Sequence, residues 1–346
     1  MDRETLSGKV QTVRGLIVPD ALGPTLMHEH LLCDVTQPGL AADDDEEVEI
    51  TLENVWEINY TWGTHHLGNS RILNRDVAVR EMRRLRDDGG RSVVELTNHG
   101  LRRDALGLRE IAELADVNVV MGCGRYIDAF LSPEVRDQGV DEIARDIVGD
   151  ILEGVRDSDV RAGIIGEIGC SWPWTEAERR SMRGAVIAQQ ETGGAITVHP
   201  GRHVESLFEV VRFVDQAGGD VSRTIIGHVD RTITDIEDLI RLADTGCVIE
   251  YDLFGIEGTL YPFSELLLPN DGARLRAIRV LVDRGHLDRI VISQDICTRT
   301  RQTEFGGHGY GHIYRNVVPF MSRVGFDEDE IDTILVGNPA RLLTFQ

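Results

Sequence analysis

Short runs of β-branched and aliphatic residues recur along the chain, each followed by a turn and then by a segment whose apolar positions repeat with a helical period. The runs fall at 24–28, 92–97, 118–123, 162–167, 195–199, 224–228, 247–252 and 289–295. Helical periodicity, rich in Arg, Glu and Leu, follows at 75–87, 141–154, 175–192, 203–217, 233–243 and 272–284. Such alternation predicts a parallel sheet, and eight strands with intervening helices predict an α/β fold of the (β/α)8 TIM-barrel type. The rival is an open doubly wound sheet. No G-x-G-x-x-G follows the first strand, so its dinucleotide-binding version lacks a signature. A length of 346 residues suits one such domain, 1–346, enlarged by loops. Two stretches break the rhythm. An insertion at about 33–74 carries an acidic run at 43–47 and an aromatic patch, Trp56, Tyr60 and Trp62, that predicts a helix beside the barrel mouth. The segment 296–313 contains Gly306, Gly307, Gly309 and Gly311 and reads as a mobile or tightly turned wall of the site.

A barrel of this type carries its chemistry at the carboxyl ends of its strands. Met27-His28-Glu29-His30 ends the first one. Side chains alternate with period two along a strand, so His28 and His30 project to one side and a single ion can take both imidazoles. Four later runs repeat the arrangement: Ile164-Ile165-Gly166-Glu167, Ile196-Thr197-Val198-His199, Ile225-Ile226-Gly227-His228 and Val291-Ile292-Ser293-Gln294-Asp295 each set an ionisable residue after an apolar run. Singly, each has a plainer reading: His199 as a core imidazole, Glu167 as a helix-capping acid, Asp295 as an N-cap. Together they bring four imidazoles and two carboxylates into one partly buried place, which is costly without a cation. His28, His30, Glu167, His199, His228 and Asp295 are therefore candidate ligands of two divalent metal ions sharing a bridging group. Zinc comes first, with manganese, cobalt and iron also suited to imidazole and carboxylate without thiolate. Such a centre would hold water or hydroxide and lower its pKa toward roughly 7, with Asp295 as the catalytic proton acceptor. Tyr126, after the third strand, and Arg231 are candidate substrate-binding residues. A packed rim tyrosine and a structural ion pair are the plainer readings of these two. His308 and His312, in the glycine-rich segment, could line the pocket without a catalytic role. His65, His66, His99, His203 and His286 lie outside the strand-end pattern and read as surface or supporting groups.

With Val10-Gln11-Thr12-Val13 and Gly15 near one end and Asn338-Pro339-Ala340-Arg341-Leu342-Leu343 near the other, the chain resembles the phosphotriesterase family of the amidohydrolase superfamily along almost its whole length. Ser293-Gln294-Asp295 followed by Gly306-Gly307-His308-Gly309-Tyr310-Gly311-His312 is similar to the phosphotriesterase-related branch. The resemblance implies that His28, His30 and Asp295 hold the more buried metal, His199 and His228 the more exposed one, and that Glu167 bridges them. Many members carry a carboxylated lysine at the bridge, whereas here the residue is Glu167 and the chain's single lysine, Lys9, lies far from any strand end. The implied activity is hydrolysis, with a metal-bridged hydroxide attacking an ester, lactone, amide or phosphoester bond. The glutamate moves the expected substrate from a phosphotriester toward a carboxyl ester, a lactone or an N-acyl amide. An N-acyl amide hydrolase or lactonase without physiological phosphotriesterase activity is one alternative. A non-catalytic ligand-binding barrel is another, and loss of ligands, its usual mark, is not seen here. A homodimer is the assembly the resemblance suggests.

Composition narrows the partners to a small-molecule substrate. The chain has 36 basic and 59 acidic residues, a net charge of −23, which repels nucleic acid and anionic membrane surfaces. Five cysteines without a C-x-x-C pair point to a reducing cytoplasm. Residues 1–18 are charged throughout, and no run approaches the roughly 18 apolar residues of a membrane span, so the expected location is cytoplasmic. Extreme acidity with one lysine fits either adaptation to high salt or an arginine-favouring codon usage. The two separate by experiment: under salt adaptation the thermal unfolding midpoint rises between dilute buffer and molar KCl, and under codon bias it stays flat or falls.

Overall fold

In the computed structural model, which describes residues 1–38, 49–62, 66–156, 158–263 and 267–346, the chain forms a nearly closed eight-stranded parallel barrel. The strands are β1 Thr25–Glu29, β2 Ser92–Glu95, β3 Asn118–Cys123, β4 Ile164–Gly169, β5 Ile196–His199, β6 Thr224–Ile226, β7 Val248–Tyr251 and β8 Ile290–Ile292, each paired with the next in chain order. Seven helices return between them: α1 Arg75–Asp87, α2 Ala105–Ala115, α3 Val140–Leu152, α4 Glu176–Thr192, α5 Val204–Gln216, α6 Ile236–Asp244 and α7 Asp271–Asp283. Polar side chains start most of them: Asn74, Asp104, Asp235 and Asn270 accept from first-turn N–H groups, and Thr175 with Glu178 forms a reciprocal cap on α4. Helix α2 is the one the periodicity does not single out. Among the described residues no helix is long and apolar enough to cross a membrane.

Apolar side chains fill the barrel in two zones. Met27, Val120, Ile164, Ile225, Val248 and Val291 meet inside it, while a larger cluster lies between the strands and the helices. The inner cluster is closed below by Val10, from the hairpin Val10–Thr12 with Gly15–Ile17, and by Leu342 and Leu343 of the last helix, Asn338–Leu343. The two chain ends are tied there: Gly8 N donates to Phe345 O at 2.9 Å, and Phe345 N to Lys9 O at 3.0 Å.

Two bulges lift the functional side chains into the interior. Leu26 pairs with Val93 but Glu29 with Glu95, and Ile165 pairs with Ile196 but Ile168 with Val198, so β1 and β4 each carry one extra residue. An extra residue reverses the in–out alternation. Met27 and His28 can thus both face inward, as can Ile164 and Glu167. Gly166, at φ +130, sits in the second bulge, where a Cβ would strike Thr197 O. The expected strand ends move accordingly. Strand β4 runs past Glu167 to Gly169, whereas β6 and β8 stop at Ile226 and Ile292. His228 and Asp295 lie beyond them in left-handed backbone, φ 54° and 45°, strain of a kind that collects at functional sites.

The insertion after β1 contains a short antiparallel pair, Cys33–Asp34 with Arg71–Ile72, and a helix, Val55–Tyr60. The acidic run at 43–47 and His65 lie outside the described residues. The aromatic patch divides: Trp56, 71% exposed, stacks on Tyr60 at 5.0 Å, whereas Trp62 packs under the Arg301 guanidinium at 4.0 Å. The glycine-rich wall is tightly turned, with left-handed backbone at Gly306 and Gly309 and the Arg301 backbone pressed against Gly307.

Closure depends on one carboxylate. Between β8 and β1 the backbone contributes Asp295 N to His28 O at 3.1 Å. Glu29 supplies the remainder, accepting from Ser293 Oγ at 2.8 Å, Gln294 N at 2.9 Å and Ile296 N at 3.0 Å, while Ser293 Oγ accepts from His28 N at 2.9 Å. Glu29→Ala leaves two buried N–H groups and a hydroxyl without their acceptor, and should lower unfolding stability by about 3–5 kcal/mol. Urea unfolding of the metal-free protein measures it; a loss below about 1 kcal/mol would mean that the backbone alone holds the seam.

Candidate metal centre

Of the six residues singled out at strand ends, the four imidazoles converge on Glu167 and Asp295 stands beside them, all six buried. Glu167 Oε2 lies 3.5 Å from His28 Nε2, 2.9 Å from His199 Nδ1 and 3.6 Å from His228 Nε2, and its Oε1 lies 3.5 Å from His30 Nε2. Asp295 Oδ1 lies 3.4 Å from His30 Nε2 and 3.9 Å from His28 Nε2. Three groups of potential ligand atoms result, each within 4.8 Å: His28, His30 and Glu167; Glu167, His199 and His228; and His28, His228 and Asp295. Glu167, His28 and His228 each belong to two of them.

Residues that the sequence reading passed over orient these imidazoles. Asp252 Oδ1 lies 2.9 Å from His228 Nδ1, its Oδ2 accepts from His228 N at 2.8 Å, and His28 Nδ1 stands 3.3 Å from both Asp252 Oδ2 and Glu250 Oε2. His30 Nδ1 meets Thr97 Oγ1 at 3.0 Å, and that hydroxyl donates to Glu95 Oε1 at 2.6 Å. Each partner is an acceptor, so the Nδ1 atoms of His28, His30 and His228 carry the protons and their Nε2 lone pairs face the centre. A signal for two of these residues was present. Val248-Ile249-Glu250-Tyr251-Asp252 is another apolar run ending in acids, and period two puts 248, 250 and 252 on one face. Glu250, Asp252 and His28 form a fourth group of potential ligand atoms.

The chemistry of this arrangement fits a divalent cation. His28 Nε2 is buried with no hydrogen-bond partner, and it faces carboxylate oxygens of Glu167 at 3.5 Å and Asp295 at 3.9 Å. Lone pair facing lone pair needs a positive charge between them. Burial works against charge on His28, yet Glu167, Asp252 and Glu250 outweigh it and raise its pKa well above the usual imidazole value. Burial likewise opposes ionisation of Glu167, but the hydrogen bond from His199 Nδ1 and the neighbouring His28 hold it well below the usual carboxylate range. Burial, with His228 alongside, pushes His199 down to about 3 and keeps its ring neutral.

Above the centre opens a cavity of about 310 Å³, with His30, Glu167, His199, His228 and Asp295 in its floor. Trp62, Tyr126, Phe130 and Phe263 line its walls, together with Arg202 and Arg231. Tyr126 Oη lies 3.4 Å from His199, and burial holds its phenol protonated well above the usual range. Arg231 has no ion pair with an acid among the described residues. The acid beside it in sequence, Asp230, is bound by Arg274 at 2.8 Å, and Arg231 Nη2 donates instead to His199 Nε2 at 3.1 Å and Pro200 O at 3.2 Å. His308 and His312 do not line this cavity. His308 packs against Gly255, and His312 Nε2 pairs with Asp271 at 2.8 Å, because the tight glycine turns carry both away from the mouth. His66 is buried, His203 stacks on Trp172 at 4.9 Å, and His286 lies 3.3 Å from Asp244.

Comparison with known proteins agrees with this geometry. The profile of the Phosphotriesterase family matches residues 8–343. N-acetyltaurine hydrolase from Bos taurus is 40% identical over 347 residues, covering 99% of each protein. Phosphotriesterase-related protein from Nematostella vectensis is 37% identical, covering 98% of this chain and 99% of that protein. Among solved structures, a resiniferatoxin-binding protein from Rhodobacter sphaeroides matches with a TM-score of 0.91 at 32% identity, covering 99% of this chain and 98% of that one. A barrel of this architecture, matched from end to end by such relatives, belongs to the phosphotriesterase family, and the chain is a hydrolase.

Proposed function

We propose that the chain hydrolyses the amide bond of a small N-acyl amine that carries an acidic group, with N-acetyltaurine, the compound in the name of its bovine relative, as the first candidate. The observation that carries the hydrolytic reading is the convergence of four imidazoles with the carboxylates of Glu167 and Asp295, with the His28 Nε2 lone pair left unpartnered. His28, His30 and Asp295 would hold one divalent ion, His199 and His228 the other, and Glu167 would join them, with zinc the first choice for a donor set of nitrogen and oxygen. When bound, the ions supply a polarised carbonyl and a water acidic enough to attack it near neutral pH.

The chain's own residues do the remainder. Burial disfavours charge on Asp295, but His30 and His28 outweigh it and keep the carboxylate ionised. It can take the proton of the attacking water and return it to the departing nitrogen, so that amide and water become carboxylic acid and amine. Tyr126, protonated and beside His199, offers an O–H donor to the substrate carbonyl. Asp252 holds His28 and His228 at once, so one carboxylate fixes the ring orientation at both proposed metal positions. The modest volume of the cavity favours a small acyl group and a short amine over a bulky triester.

Elemental analysis of the purified protein should find up to two divalent ions per chain, and chelation should abolish amide hydrolysis. If the metal-free protein gains no activity with zinc, manganese or cobalt, the mechanism is wrong. Glu167→Ala should lose about 100-fold or more in kcat/KM, and Glu167→Lys should regain part of it in bicarbonate; full turnover by the alanine variant would remove Glu167 from the bridge. Asp252→Ala should weaken metal affinity by about 10–100-fold, read by competition with a chromogenic chelator, and unchanged affinity would deny it the orienting role.

A further inference from the structure

Buried guanidinium groups elsewhere in the chain are held either by acids or, as at Arg223, by a set of main-chain carbonyls, those of Arg341, Leu342 and Thr344. Arg274 is held by Asp230 and Asp271, both at 2.8 Å, Arg125 by Asp146 at 2.7 Å and Arg103 by Asp150 at 2.9 Å. Arg231, only 3% exposed, has no ion pair among the described residues, and its Nη1 has no hydrogen-bond partner at all. Arg202, at the rim, donates to Tyr261 Oη at 2.6 Å and lies 5.0 Å from the centre of the Phe263 ring, again with no acid among the described residues. Both line the same cavity as Tyr126, whose phenol feels both positive charges. Two cations without acidic partners among the described residues, both facing one small cavity, form a receptor for an anion.

The His199 ring strengthens the case for Arg231. Its Nδ1 faces Glu167 and His228, and its Nε2 accepts from Arg231 Nη2 only while Nε2 carries no proton. Once Nδ1 is committed as a ligand, Nε2 carries the proton and no longer accepts. The guanidinium is then released from its main side-chain partner. Its Nη1 is already without a partner, in a residue that lines the cavity.

We propose that Arg202 and Arg231 form a two-sided clamp for a sulfonate or carboxylate of the substrate, and that this clamp sets a preference for N-acyl amino acids and N-acyl aminosulfonates over neutral amides. The proposal rests on the amide-hydrolase reading above. Arg231 gives the buried inner half, which keeps its hydrogen bond to Pro200 O. Arg202 is the outer half, held on aromatic faces that let the guanidinium tilt toward an incoming anion without losing its cover.

The test compares the metal-loaded protein on N-acetyltaurine, N-acetyl-β-alanine and the neutral analogue N-propylacetamide. Wild type should favour the anions, and the better of the two identifies sulfonate or carboxylate as the preferred group. Arg202→Met should lower the anion-over-neutral ratio of kcat/KM by about tenfold, mainly through KM, with Arg202→Lys recovering most of it. An unmoved ratio overturns the clamp. If no amide is hydrolysed, the activity reading falls, and the clamp is judged separately by calorimetric titration with propane-1-sulfonate, which cannot be turned over. Binding weakened about tenfold in Arg202→Met supports it; absent binding by wild type, or equal binding by both proteins, overturns it.

Discussion

The architecture depends on joining the first strand to the last. Ladder pairing runs unbroken from β1 to β8, but the return from β8 to β1 rests on the carboxylate of Glu29, which gathers donors from Ser293, Gln294 and Ile296. Because Glu29 lies between His28 and His30 in sequence, and the residues it binds flank Asp295, the same contact that closes the barrel sets three proposed ligands against one another. Structure and chemistry share a seam. Displacement there would separate His30 Nε2 from Asp295, which now stand 3.4 Å apart.

Electrostatics in the centre follow from a surplus of buried acids. Glu95, Glu167, Glu250, Asp252 and Asp295 surround four imidazoles, and burial penalises every charge among them. The rise in the pKa of His28 and the fall in that of Glu167 report one demand: the cluster needs positive charge, from protons or from metal ions. His199 differs. It meets Arg231 and His228 and is kept neutral, so it is the imidazole whose surroundings already contain a cation on the substrate side.

Much of this was legible along the chain because strand-end chemistry in a barrel follows a simple pattern. The eight apolar runs, the paired His28 and His30, and the ionisable residues at 167, 199, 228 and 295 are visible without coordinates, since each depends on local alternation. What was hidden has physical reasons. Bulges at β1 and β4 are register events between strands, and only a partner strand reveals them. The left-handed turns at His228 and Asp295 extend the ligands beyond strands that end earlier than their hydropathy suggests. Glu250 and Asp252 fit the rule but were read as the end of a strand. Arg202 carries no sequence signal at all, because being unpaired is a property of space.

The seam also imposes an order of events on the growing chain. Glu29 and Ser293 are 264 residues apart, so at ordinary synthesis rates roughly 15 to 50 s separate their emergence from the ribosome. Throughout that interval the first strand has an acid prepared for partners that do not yet exist, and the hairpin at the base awaits the last helix. Most of the barrel can assemble strand upon strand as it appears, but closure waits for the residues around the last strand. Until β8 is available the sheet can hold at most seven of its strands, and it keeps an open edge of the kind that invites pairing with other chains.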